Sequence, residues 1–313
     1  MNIIMHTKPT PWRGNEVLRQ SEFLSSDIEE ILKSIAKGTS HTQLYNEELR
    51  KKIHKEIETG CGVVFHRSKL LEKLGHYEFR AVFQAFCSWL GIPAFINKYG
   101  DYIKEVADTG ARDSLNDPQR GHMTNQKLSF HSDRADITVL CCWSPAYKGG
   151  ELRLRSSSDV VEQLEKASSR LQVLLRTPIA HDLRDESDKN YCNIPLLWDE
   201  PNSFGFRYIR KFNESVVRHG LELSSETIDL LDAVDAEINQ PNVYAEISFQ
   251  KGDLVLINNH TTLHMRTEFQ DSNQIKRNLL RCWLSSEYTR ELPESFAPIF
   301  HETKAGIARG GIR

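Results

Sequence analysis

The chain has 313 residues, of which 39% are hydrophobic and 27% charged, with a formal net charge of −3. A chain of this size and composition can bury a sizeable core as an ordinary globular protein. Its near-neutral charge gives no electrostatic reason to expect nucleic acid or an anionic membrane as partner.

The opening stretch, MNIIMHTKPTPWRGNE, has neither the long apolar core nor the small-residue cleavage site of a secretory signal. Ser26-Asp27-Ile28-Glu29 has the pattern of a capping box, and Ile28, Leu32 and Ile35 follow at helical spacing, with Gly38 as the stop. Leu49, Ile53 and Ile57 predict a second helix ending near Gly60. CGVVFH at 61–66 predicts a short strand. A third helix runs from Tyr77 to Leu90, with Phe79, Phe83, Phe86 and Leu90 on one stripe.

From about residue 125 the texture changes to short segments rich in β-formers: LSFHSDRADITVLCCW, GGELRLRS, FGFRYIRKF, VYAEISF, GDLVLINN, TTLHMRTEF and NLLRCWLSS. One helix interrupts them, Thr227 to Ile238. The polar stretch 182–202, between strand signals, reads as a loop or mobile lid whose Ile194, Leu196, Leu197 and Trp198 would cover a pocket. The expected fold is mainly β with flanking helices, a double-stranded β-helix (jelly-roll) core. One domain spans 1–313: a mostly helical part, 1–120, packs on a core, 121–313, that carries the functional site. No run of about 18 apolar residues exists, so no membrane span is expected. The six cysteines form no C-x-x-C pair and read as buried free thiols of a reducing cytoplasm.

His131-Ser132-Asp133 places a histidine and a carboxylate two residues apart, a spacing that puts both on one face of a strand. With one further histidine they would form a two-histidine, one-carboxylate facial triad, which leaves metal positions open for substrate and oxygen. His264 and His260 compete for that third place.

Two stretches resemble the taurine dioxygenase and clavaminate synthase group of iron(II)- and 2-oxoglutarate-dependent oxygenases. The first is FHSDRADITVLCCWSPAYKGGELRLRSS and the second KGDLVLINNHTTLHMRTEFQDSNQIKRNLLRCWLS, and the ending FAPIFHETKAGIARGGI is similar too. The likeness runs through about 120–313 and is loose before that. It implies that His131, Asp133 and His264 hold iron(II), with His264 preferred to His260 because it occupies the L-H-x-R-T position. It also implies that Arg277 grips the far carboxylate of 2-oxoglutarate, as a planar guanidinium can with two hydrogen bonds. Arg281 matches an arginine near the active-site carboxylates. The Thr or Ser that relatives often carry just after the Gly-Gly pair is absent: Glu151 and Leu152 follow Gly149-Gly150. Asp133 stands where halogenating relatives have Gly or Ala, so hydroxylation, desaturation or epoxidation is expected.

Such an enzyme consumes 2-oxoglutarate and O2 and releases succinate and CO2 while oxidising a small-molecule substrate. Strand alternation puts Asn125 and Lys127 on the face of His131, and Arg210 lies in a β-rich setting. These residues suit an anionic or amino-acid-like substrate, and the family resemblance suggests an amino acid or a derivative, in secondary metabolism. Two rival readings are a non-catalytic member of the fold that binds a small acid, and a zinc hydrolase using the same His/Asp/His set.

Overall fold

The computed structural model describes residues 6–38, 46–111 and 123–312. Its centre is a pair of antiparallel sheets. The larger has six strands: Val63–Arg67, Asp253–Asn258, Ile137–Ser144 and Asn278–Ser285 lie side by side, and the last of these also pairs with Ile92–Ala94 and Ile103–Val106. The smaller runs Ala245–Ile247, Leu152–Ser156, Thr262–Arg266, Leu128–His131. The first 120 residues thus supply three strands of the larger sheet as well as helices.

Period-two alternation explains the layering. In the larger sheet Val63, Leu140, Cys142, Val255, Ile257 and Leu279 point inward, where they meet Leu152, Leu154, Ala245 and Ile247 of the smaller sheet in one buried cluster. The alternate residues, among them Val64, Val139, Cys141, Leu254, Leu280 and Cys282, point outward against the helices Ser25–Ala36, Glu47–Glu58 and His76–Leu90. The phenylalanine stripe of the last helix, Phe79, Phe83 and Phe86, is fully covered. On the far side, Phe130, Leu263 and Met265 turn outward from the smaller sheet onto the helices Ser157–Ala167 and Ser225–Ile238. His131, His264 and Arg266 therefore face the space between the sheets.

Several expectations change on contact with tertiary structure. The capping box does not form: the first long helix starts at Ser25 without a side-chain cap. Glu29 instead accepts from Leu70 N (2.9 Å) and Ser68 Oγ (2.7 Å) and lies 3.0 Å from His66 Nε2, tying the helix to the first strand. The later helix starts at Ser225, capped by Ser224, and Ile228 is on its exposed side. The helices Ser157–Ala167 and Ser169–Arg176 were legible in Ser156-x-x-Asp159 followed by Val160, Val161 and Leu164, but the surrounding strand signals hid them. FGFRYIRKF is a strand only to Phe206, and Arg210 opens a short helix, Arg210–Glu214. The stretch 182–202 contains two strands: Tyr191–Ile194 pairs with Ile179–Asp182, and Leu197–Glu200 with Ser203–Phe206. Ile194, Leu196, Leu197 and Trp198 are buried in the core rather than poised over a pocket. All six cysteines are free and buried. Among the described residues no helix is long and apolar enough to cross a membrane.

Buried polar groups are matched inside this frame. His54 on Glu47–Glu58 donates from Nε2 to Leu90 O (2.8 Å), and burial, helped by Arg50 and opposed by that carbonyl, pushes its pKa down to about 4. Between about 6.5, the unfolded value, and about 4 the unfolded chain binds a proton that the folded one refuses. Stability should therefore fall as pH drops through that window, by up to about 1.4 kcal/mol per pH unit for this residue. Urea unfolding of the metal-free protein at a series of pH values should show a slope of this sign, and His54→Gln should make it shallower by this residue's share. An identical slope in the variant would clear His54 of any part in it.

Candidate active site

The strands Leu128–His131 and Thr262–Arg266 pair antiparallel in a register that sets His131 directly opposite His264. Their imidazole rings lie 4.3 Å apart between centroids. Asp133 is not on the strand. It follows in the turn that leaves it, and Ser132 N donates to Tyr208 O at the start of that turn. The result is the same convergence by a different route: one donor atom each from His131, Asp133 and His264 lie within 4.8 Å of one another.

The electrostatics suit a cation. His131 Nδ1 is bonded to Ser129 O (2.8 Å), which places the proton there and leaves Nε2 as a lone-pair donor. Burial, then His264, lowers its pKa to about 4, so it is neutral at pH 7. Asp133 is held well below the usual carboxylate range despite its burial, by Arg281 first and then by the two histidines. Its orientation is set from the larger sheet: Thr138 Oγ1 (2.7 Å) and Trp283 Nε1 (2.9 Å) both donate to Oδ2, and Asp133 N donates to Asn259 Oδ1 (3.0 Å). Oδ1 faces His131 Nε2 at 3.8 Å and Arg281 Nη1 at 3.7 Å. Two imidazoles and one ionised carboxylate are the donor set for iron(II) and related divalent ions. His260 lies elsewhere, bonded to Asp136 Oδ1 (2.7 Å), which is itself paired with Arg309.

Arg277 is buried at the entry to the strand Asn278–Ser285 and faces the interior. Gly150, at φ +79°, makes room for it: a Cβ there would stand 3.1 Å from Arg277 Nε. Its guanidinium lies 5.0 Å from the Phe269 ring, with Arg266 stacked on the same ring at 4.9 Å. Only Val106 O, at 3.4 Å, approaches its Nη1, and among the described residues no carboxylate pairs with it. Burial, then Arg266, lowers its pKa to about 9, so it remains a cation at neutral pH. An unpaired buried guanidinium is costly, and an incoming carboxylate would relieve that cost. The seat therefore fits 2-oxoglutarate. Leu152 packs in the core where relatives often carry a hydroxyl; the nearby Thr267 Oγ1 accepts from Gly150 N and Glu151 N (3.0 Å each) and donates to Glu151.

Beside the triad is a cavity of about 430 Å³, whose wall includes His131, Asp133 and Arg281. Lys127 and Arg210 also line it, whereas Asn125 does not: its carbonyl accepts from Phe269 N. Arg210 already pairs with Glu214, Asp232 and Asp235. Arg134 and Arg207, which sequence reasoning passed over, line the cavity and are buried. Arg134 was signalled only by its place directly after Asp133, and Arg207 by nothing in its neighbours. Arg134 donates to Ile299 O and Pro298 O and pairs with Glu186, drawing the C-terminal segment and the turn after Ile179–Asp182 over the cavity.

Comparison with known proteins agrees with this geometry. The model of the family described as taurine catabolism dioxygenase TauD, TfdA family matches residues 37–283. FR-33289 synthase from Streptomyces rubellomurinus is 26% identical over 251 residues, 77% of this chain and 74% of that protein. Among solved structures, an asparagine oxygenase in complex with Fe(II), 2S,3S-3-hydroxyasparagine and succinate matches with a TM-score of 0.64 at 16% identity, over 84% of this chain and 91% of that one. The non-heme iron oxygenase OrfP, in complex with Fe and alpha-ketoglutaric acid, matches with a TM-score of 0.60 at 15% identity, over 88% of this chain and 96% of that one. At such identities the structures show a shared fold, while the family model covers well over half of the chain. This protein belongs to the TauD/TfdA family of non-haem iron(II)- and 2-oxoglutarate-dependent dioxygenases.

Proposed function

We propose that the chain is an oxygenase of a small, amino-acid-derived substrate, with iron(II) held by His131, Asp133 and His264 and the far carboxylate of 2-oxoglutarate held by Arg277. The convergence of the three donors within 4.8 Å carries this reading. On this view the two facing sheets are a double-stranded β-helix, the chain works as one oxygenase domain, and the six buried free thiols suit a cytoplasmic enzyme.

With iron(II), 2-oxoglutarate and O2 in place, the group would supply oxidising power for hydroxylation, desaturation or epoxidation, with succinate and CO2 released. The protein's part is positioning. Ser129 O fixes the tautomer of His131, while Thr138 and Trp283 bond to Oδ2 of Asp133 and so orient the carboxylate that would hold the metal. Arg277 supplies a desolvated positive charge for a carboxylate, and Arg281, stacked 4.8 Å from the Trp283 ring, keeps Asp133 ionised. Asparagine oxygenase and OrfP were solved with hydroxylated asparagine and arginine, which supports an amino acid or a derivative here. A zinc hydrolase would have no use for the unpaired Arg277. A small-acid sensor would not turn over, so succinate formation dependent on an added metabolite separates it from an oxygenase.

Replacing His131, Asp133 or His264 by Ala should abolish iron(II) binding and turnover while the fold persists, whereas His260→Ala should keep the metal. Metal titration followed by circular dichroism checks both; full iron affinity in His264→Ala would refute the triad. Arg277→Ala should weaken 2-oxoglutarate binding about tenfold to more than a hundredfold, the worth of a charge-assisted pair. An unchanged titration would move the anchor to another arginine. Trp283→Phe, which leaves Asp133 Oδ2 with one donor, should lower metal affinity by about tenfold or more. Equal affinities in the two proteins would show that Thr138 alone orients the carboxylate.

A further inference from the structure

Beyond the triad, the cavity wall contains a charge that the protein leaves unneutralised. Arg207 follows the strand Ser203–Phe206, is 3% exposed, and lines the cavity. Its Nη1 donates to the carbonyl of Asp133 at 2.9 Å. Its buried Nε has no hydrogen-bond partner, and among the described residues no carboxylate pairs with it. The Phe300 ring, 5.5 Å away, covers the guanidinium. Burial, then Arg134, lowers its pKa to about 10, so at neutral pH it still carries its charge. His181, also on the wall, is held neutral by burial and by these two arginines.

The acids around it are committed. Asp182 accepts from Ser215 and Arg218, Glu186 pairs with Arg134, and Glu214 and Asp235 pair with Arg210. Asp133 belongs to the metal-ligand set. Among the described residues the wall therefore offers a buried seat for an anion and no uncommitted carboxylate for an ammonium group. A fully buried, unpaired guanidinium is tolerated where a ligand completes it.

We propose that Arg207 is the substrate's anion subsite, taking a carboxylate or a tetrahedral oxyanion, and that the substrate's amino nitrogen, where it has one, enters without a free positive charge. This rests on the oxygenase reading above and narrows it: an amino-acid derivative with a masked amine fits the cavity better than a free amino acid. Nη1 is bonded to the backbone carbonyl of Asp133, so an anion held by Arg207 would share the cavity wall with the triad.

The test titrates the full chain, loaded with iron(II) and 2-oxoglutarate in the absence of oxygen, with sodium acetate, inorganic phosphate and glycine at constant ionic strength, followed calorimetrically. Saturable binding of acetate or phosphate is expected, the stronger of the two identifying the head group, and glycine should bind more weakly than acetate. Arg207→Gln should weaken the preferred anion by about tenfold or more while 2-oxoglutarate affinity stays unchanged. No saturable binding of either anion, undiminished binding in Arg207→Gln, or an equal loss of 2-oxoglutarate would each overturn the assignment. Glycine binding as tightly as acetate would overturn the claim about the amine. Should Arg207→Gln not fold, the Arg207 Nε–H resonance of the unaltered protein, assigned with Arg207→Lys, should shift saturably with the same anions; an immobile resonance overturns the proposal. Unaltered protein that fails to take up iron or 2-oxoglutarate would count against the oxygenase reading alone, because the resonance can be followed without either.

Discussion

Backbone pairing between Leu128–His131 and Thr262–Arg266 places two histidines that are far apart in sequence directly across from each other. Everything in the site depends on that register. A slip of one residue would turn His264 outward into the apolar cluster and bring both Leu263 and Met265 between the sheets. The register is protected by the burial of both faces: Phe130, Leu263 and Met265 are covered by helices on one side, and the interior receives only the alternate residues.

The site is then completed by the opposite sheet. Thr138 and Trp283 hold the carboxylate of Asp133, and Asn259 holds its backbone. The turn that carries Asp133 is therefore fastened to both layers, so the placing of the three donor side chains and sheet packing support each other. The cations around it are distributed by the same logic. Arg281 faces Asp133 and helps keep it ionised, while among the described residues no carboxylate pairs with the buried Arg277 or Arg207. Charge left unpaired in a folded protein marks where binding energy is to be gained.

A second buried network lies behind the site and joins distant parts of the chain. Arg309 and His260 meet on Asp136, and Arg290 pairs with Glu58 at 3.0 Å, with His6 close to the same carboxylate. Asn258 joins the two groups, donating from Nδ2 to Glu58 and accepting from His260 N at Oδ1, so His6, the helix Glu47–Glu58 and the C-terminal segment are tied to the turn that carries Asp133 and Asp136. Removing one member would strand a buried charge, which is far costlier than losing a surface pair. His260 is committed to this network, which is why, close as it is in sequence to His264, it lies outside the cluster of donors.

The local signals were strongest where one residue type has few alternatives. The Phe79-Phe83-Phe86 stripe can be buried only as a helix face, the alternating apolar strands only as half of a two-layer core, and H-x-D with L-H-x-R-T marks a donor set by composition and resemblance. These determined a mainly β class with helices, several of the helices and strands around the site, and the ligand candidates. The sequence did not determine which polar residues share space. Glu29 reads as a cap and serves as a cross-link, because Leu70, Ser68 and His66 reach it first. Arg210 reads as a binding residue, but three nearby acids neutralise it. Arg207 gives no local sign of importance, yet among the described residues no carboxylate pairs with it. Whether an arginine is paired depends on partners brought in from elsewhere in the chain, and only tertiary packing decides which partners arrive.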